Sequence, residues 1–93
     1  MKFTDLETRV FNLIATESMS GGLLDVPEIA EALNLTVPTV KGVIGSLTKK
    51  GKVDTDPGDG DIPPCIWPIH PKYGPCFWGD LLTEEEFQKE LIQ

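Results

Sequence analysis

The front half of the chain carries three helix starts in succession, each followed by an apolar stripe and a short stop. Thr4-Asp5-Leu6-Glu7 has the hydroxyl-to-carboxylate spacing of a capping box, in which residues three apart satisfy each other's backbone N–H groups. Leu6, Val10, Leu13 and Ile14 then share one helical face, which predicts a helix from about Asp5 to Thr16. Ser18-Met19-Ser20-Gly21-Gly22 should break it. In Asp25-Val26-Pro27-Glu28 the proline suits a helix opening, where its missing N–H has no helical partner to lose. Val26, Ile29, Ala30 and Leu33 make the stripe of this second helix, over residues 26–33. After a turn at Asn34-Leu35, Thr36 is a good N-cap and Pro38 falls in the first turn. Val40, Val43, Ile44 and Leu47 form the third stripe, and Lys49, Lys50 and Gly51 close a helix over residues 37–50.

Beyond Gly51 the pattern changes. Lys52-Val53 opens an extended segment, residues 54–61 are turn formers, and residues 62–69 can return as a strand. Pro63, Pro64 and Pro68 should confine that strand to a sheet edge. Six of the eight prolines lie from Pro57 to Pro75, with Trp67, Tyr73, Phe77 and Trp78 among or beside them, which points to an ordered, aromatic-packed loop. Thr83-Glu84-Glu85-Glu86 is a second capping box, with Phe87 and Leu91 on one face of the helix it opens. The expected class is α+β, mostly α: three helices, a two-stranded hairpin across residues 52–69 and a C-terminal helix. A chain of 93 residues suits one domain, here 1–69 with 70–93 packed upon it.

Charge is placed unevenly. Residues 1–53 hold six basic and six acidic groups, whereas residues 54–93 hold two and nine, so the back half carries the whole net charge of -7. Such a charge repels nucleic acid at long range and favours solubility, although local patches decide contact. No apolar run approaches the roughly 20 residues of a membrane helix. The start lacks the apolar stretch of a signal peptide. The expected compartment is therefore the cytoplasm, with Cys65 and Cys76 as reduced thiols.

The stretch Val26-Pro27-Glu28-Ile29-Ala30-Glu31-Ala32-Leu33-Asn34-Leu35-Thr36-Val37-Pro38-Thr39-Val40, continuing to Leu47-Thr48-Lys49-Lys50-Gly51-Lys52-Val53, resembles the winged helix-turn-helix superfamily, and within it the MarR-like bacterial regulators. The resemblance runs from the first helix to the start of the wing. Ala30 is small where two helices cross, Leu35 plugs the turn, and Thr36 caps the third helix. The resemblance implies a small transcriptional regulator of bacterial or phage type, with that helix in the major groove of double-stranded DNA. The residues it assigns to DNA are Thr36, Pro38, Thr39, Lys41, Gly42, Gly45, Ser46, Lys49, Lys50 and Lys52. Gly42 and Gly45 each cost a helix about 1 kcal/mol against alanine, and on an exposed face they let another backbone come close. The helix has no arginine for the commonest bidentate contact to guanine.

Where the family's wing usually carries basic residues, this chain has Asp54, Asp56, Asp59 and Asp61. That departure keeps a second reading open: a protein-interaction module or acidic DNA mimic that grips its partner through these aspartates and through Trp67 and Trp78. A homodimer formed through the apolar face of the last helix is also expected.

Other chemistry fits poorly. An EF-hand loop starting at Asp54 would place Gly58 at position five, Asp59 at six and Cys65 at twelve, against the required oxygen ligand, glycine and glutamate. Cys65, His70 and Cys76 fall short of the four ligands of a structural zinc site and read as two small buried thiols and a surface histidine. The sole histidine lies between Pro68 and Pro71 with no evident nucleophile, and there is no phosphate-cradling glycine loop. The chain is read as a non-enzyme without metal or cofactor.

Overall fold

The structure is a computed structural model that describes residues 2–56 and 64–92. In chain order the elements are α1 (Asp5–Met19), α2 (Val26–Leu33), α3 (Val37–Lys49), β1 (Val53–Asp56), β2 (Cys65–His70), β3 (Gly74–Pro75), α4 (Trp78–Leu81) and α5 (Glu84–Glu90). The protein is thus a mostly helical α+β domain with a three-stranded antiparallel sheet in the order β1-β2-β3.

Local chemistry accounts for the helix starts. Thr4 Oγ1 accepts from the Glu7 N–H at 3.1 Å, and Glu7 Oε1 accepts from the Thr4 N–H at 2.7 Å. The same reciprocal box forms between Thr83 and Glu86, and also between Asp25 and Glu28. Thr36 accepts from the Thr39 N–H. Pro27 and Pro38 each stand second in their helix. Asn34 ends α2 in the left-handed region at φ 56°, and Gly51 follows α3 at φ 74°.

Helix α1 runs three residues past Thr16, through the segment expected to break it. Ser18 does not compete for its own helix backbone. Its hydroxyl accepts from the Trp78 N–H at 2.8 Å and donates to the Cys76 carbonyl at 3.1 Å. The buried face of α1 is Glu7, Val10, Phe11, Ile14, Ala15 and Ser18. Leu6 and Leu13, expected in the stripe, flank it half-buried. The burial of Glu7 rotates the face toward Phe11 and Ala15.

Strand β2 is central rather than at an edge, which corrects the expectation drawn from its prolines. The Ile69 N–H donates to Lys52 on the β1 side, whereas the Ile66 N–H donates to Leu24 on the other. Alternation along the strand turns the Pro68 nitrogen to the same side as Ile66. There it lies between the Leu24 bridge and the pairs that β3 makes with Ile69 and His70. Proline therefore removes no bond from the β1–β2 ladder. Of the two-stranded hairpin expected across 52–69, β1 lies inside those bounds and β2 runs one residue beyond them to His70, while β3 adds a third strand; the hairpin tip falls outside the described residues.

One hydrophobic cluster joins the helices, the sheet and the C-terminal segment through Phe11, Ile29, Val40, Leu47, Val53, Ile66, Trp78 and Phe87, among others. Trp78 is fully enclosed and meets Phe11, His70 and Phe87 edge-on, with centroids 5.9, 5.8 and 6.3 Å away. Helix α4, absent from the sequence reading, brings it there. Asn12 holds the end of the chain by pairing with both the N–H and the carbonyl of Ile92, each at 2.9 Å. Phe87 is buried, and Leu91 and Ile92 pack on the same core. The apolar side of α5 expected to meet a second copy thus packs in part on the chain's own core, through Phe87. Among the described residues no helix is long and apolar enough to cross a membrane.

Candidate nucleic-acid interface

Helix α3 has two chemically distinct sides. Its inner side buries Val40, Ile44 and Leu47 against α1, α2 and the sheet. It is also fixed by a polar clamp at Glu7, whose residue is only 2% exposed. Ser46 Oγ donates to Glu7 Oε2 at 2.6 Å, and Lys50 Nζ donates to Glu7 Oε1 at 2.8 Å and to the Lys2 carbonyl at 2.9 Å. The bonds from Lys50, then Ser46, then the Thr4 N–H pull the Glu7 carboxyl down from 4.5 to about 2, against the opposing effect of burial.

This clamp bears on the residues that the resemblance assigns to DNA. Ser46 and Lys50, assigned to DNA from the sequence, are turned inward to Glu7. Lys52, also assigned to DNA, lays its ammonium over Phe11 at 4.5 Å and Phe3 at 5.9 Å. Glu7 was missed as more than a cap. Its signal was its position: three residues before Val10 and seven before Ile14, it lies on the apolar stripe.

The outer side of α3 keeps the rest. Val37, Pro38, Lys41, Gly42, Gly45 and Lys49 are exposed, and Thr36 is exposed at the cap. Thr39 is half-buried, with its hydroxyl shared with that of Thr36 at 2.7 Å. Among the described residues, no hydrogen bond or ion pair engages the Lys41 or Lys49 ammonium. A Cβ added at Gly42 or Gly45 would meet nothing within 4 Å. The face is therefore a smooth strip of two glycines, with Lys41 and Lys49 beside them.

The structure splits the residues of the protein-partner reading: Asp54, Asp56 and Trp67 share one face of the β1–β2 pair, whereas Trp78 is in the core. Asp54 and Asp56 are exposed on β1, and Asp59 and Asp61 lie outside the described residues. Trp67 is half-buried and stacks edge-on with Phe77 at 4.8 Å. Trp78 is core, so it cannot anchor a partner. His70, expected at the surface, is buried. Its Nδ1 accepts from the Lys72 N–H at 3.0 Å, while its Nε2 stands 3.9 Å from Glu90. Cys65 and Cys76 are free, half-buried thiols, and burial pushes both above their ordinary range. Among the described residues no three His, Cys, Asp or Glu side chains are grouped to hold a metal. Comparison with family models, with curated proteins and with solved structures finds no match to this chain.

Proposed function

We propose that the chain is a small winged-helix DNA-binding protein of the transcription-regulator kind, with α3 as the helix that enters the major groove. The observation that carries this reading is the outer face of α3: exposed, ungrooved at Gly42 and Gly45, and bearing Lys41 and Lys49 with no partner among the described residues. The order of elements supports it as well. A short turn joins α2 to α3, the β1–β2 pair follows α3 directly, and Leu24, just before α2, bridges to β2. On this reading Val37 and Pro38 lead into the groove, Lys41 and Lys49 take phosphates, and the glycines let the duplex backbone approach.

The test is an anisotropy titration of a random-sequence duplex across a range of salt. Each phosphate contact lowers log affinity by about 0.9 per log unit of salt. With Lys50 and Lys52 engaged inside the chain, the slope should be about -2. Lys41→Ala should weaken binding and flatten the slope by about one. Lys89→Ala should change neither, since that side chain lies on α5 and pairs with Glu85. A folded protein that binds no duplex at low salt overturns the reading.

A further inference from the structure

The outer face of the sheet carries an aromatic pair that the core does not use. Along β2, Ile66, Pro68 and His70 are buried, while Cys65, Trp67 and Ile69 point to the other side and are half-exposed. Trp67 meets Phe77 edge-on at 4.8 Å and 67°, and neither ring is part of the hydrophobic cluster that encloses Trp78. The strand register sets Asp54 opposite Trp67 and Asp56 opposite Cys65. Directly opposed residues share a sheet face, so Asp54 lies across from Trp67 and Asp56 diagonally from it on the same face. Both aspartates are exposed. Lys50 and Lys52, the lysines closest before β1, are turned instead to Glu7 and to Phe3 and Phe11.

An aromatic face flanked by carboxylates suits one cation above others. A guanidinium can lie flat on an indole and still present N–H groups to a carboxylate beside it, which an ammonium does less well. The same charges oppose a phosphate backbone. We propose that the outer sheet face, Trp67 and Phe77 with Asp54 and Asp56 beside them, docks an arginine-bearing segment of a basic protein partner. This surface is separate from the outer face of α3, and the test does not depend on DNA binding.

The probe is an acetylated peptide alternating arginine with valine, compared with its lysine and glutamate counterparts. Binding is followed by tryptophan emission, in which Trp67 is the half-exposed reporter, and by amide shifts of the full chain. The arginine peptide should bind saturably, shift residues 53–56 and 65–69, and weaken with salt. The lysine peptide should bind about threefold more weakly, and the glutamate peptide not at all. Asp54→Asn with Asp56→Asn should weaken the arginine peptide about fivefold. Trp67→Leu should weaken it further, and the exposed aspartate pair decides the matter if that variant does not fold. The proposal is overturned by several outcomes: no saturation, equal affinity for the aspartate double variant, shifts centred on α3, or duplex DNA moving the same amides. Sedimentation showing a dimer that Trp67→Leu dissolves would assign the face to a second copy and overturn it too.

Discussion

At Gly79 an added Cβ would run into the carbonyl of Met19, whereas at Gly42 and Gly45 it would meet nothing within 4 Å. Gly79 lies in α4, whose backbone rests directly on the last turn of α1. No larger residue fits there without moving one helix end off the other. The two glycines of α3 lie inside a helix on its open side, where each weakens the helix by about 1 kcal/mol against alanine and makes no compensating contact among the described residues. A glycine required by packing has its reason inside the fold. A glycine on an open helix face has none there, and this contrast is what directs attention to a surface laid against α3 from outside.

Gly79→Ala should give the largest effect. Overpacking against a backbone atom costs about 2–3 kcal/mol, because no flexible side chain can give way. For a domain of this size that lowers the melting temperature by about 10–20 °C, measurable by circular dichroism. A shift of a degree or two would show that α4 is loosely held and would end the contrast.

The same junction has a polar half. Ser18 is wholly enclosed, and its hydroxyl serves both the Trp78 N–H and the Cys76 carbonyl. Ser18→Ala leaves a buried donor and a buried acceptor unmatched, which costs about 1–3 kcal/mol. Urea unfolding should show this as a lower midpoint with an unchanged slope. If Ser18→Ala and Gly79→Ala are combined, their costs should fall short of adding, since both loosen one contact.

Capping and helical period were legible ahead of the structure, and long-range contacts were not. Thr4, Thr36 and Thr83 were legible because capping is settled within four residues, and the stripes of α2 and α3 because helical period is local. The fate of Ser18 was not, since its partners lie at Cys76 and Trp78, far along the chain. Glu7 was read as half of a capping box, which it is, but Ser46 and Lys50 reach it from the far end of α3. That hidden clamp withdrew two residues from the expected DNA face. The two tryptophans met opposite fates for a similar reason. Which lies inside depends on the parity of β2 and on α4, a single turn too short for periodicity to reveal. The glycines of α3 were noticed from sequence alone, but whether a Cβ had room beside them depended on the packing around the helix.

The clamp offers a way to sharpen the contrast from the inner side of α3. The Glu7 carboxyl is held at about 2, below its ordinary 4.5. A depressed carboxyl stabilises the fold above its unfolded value, and that contribution is lost as pH falls from about 4.5 toward 2. Glu86, lowered by its own capping bonds, acts in the same direction. The informative quantity is therefore the difference between the native chain and Glu7→Gln. The native chain should lose stability more steeply over this window, and the two curves should converge at its acid end. Parallel curves would mean that Lys50 and Ser46 do not hold the carboxylate, and that the inner side of α3 is set by its apolar stripe alone.

Replacing Gly42 and Gly45 by alanine tests the other side of the contrast. With open space around both positions, each change should stabilise the helix by about 1 kcal/mol. Part of that gain comes from an unfolded chain with fewer conformations to lose. The variant should melt higher, opposite in sign to Gly79→Ala, and a lower melting temperature would show that the face is not open. Duplex binding then carries the functional weight. Two methyl groups on a face that lies against DNA hold the backbone away from Lys41 and Lys49, so affinity should fall while stability rises. A folding defect cannot produce that pairing, because the variant is the better folded of the two. If stability rises and duplex affinity is unchanged, the glycines do not mark a contact surface. The DNA reading would then rest on Lys41 and Lys49 alone, and the salt slope of Lys41→Ala would decide it.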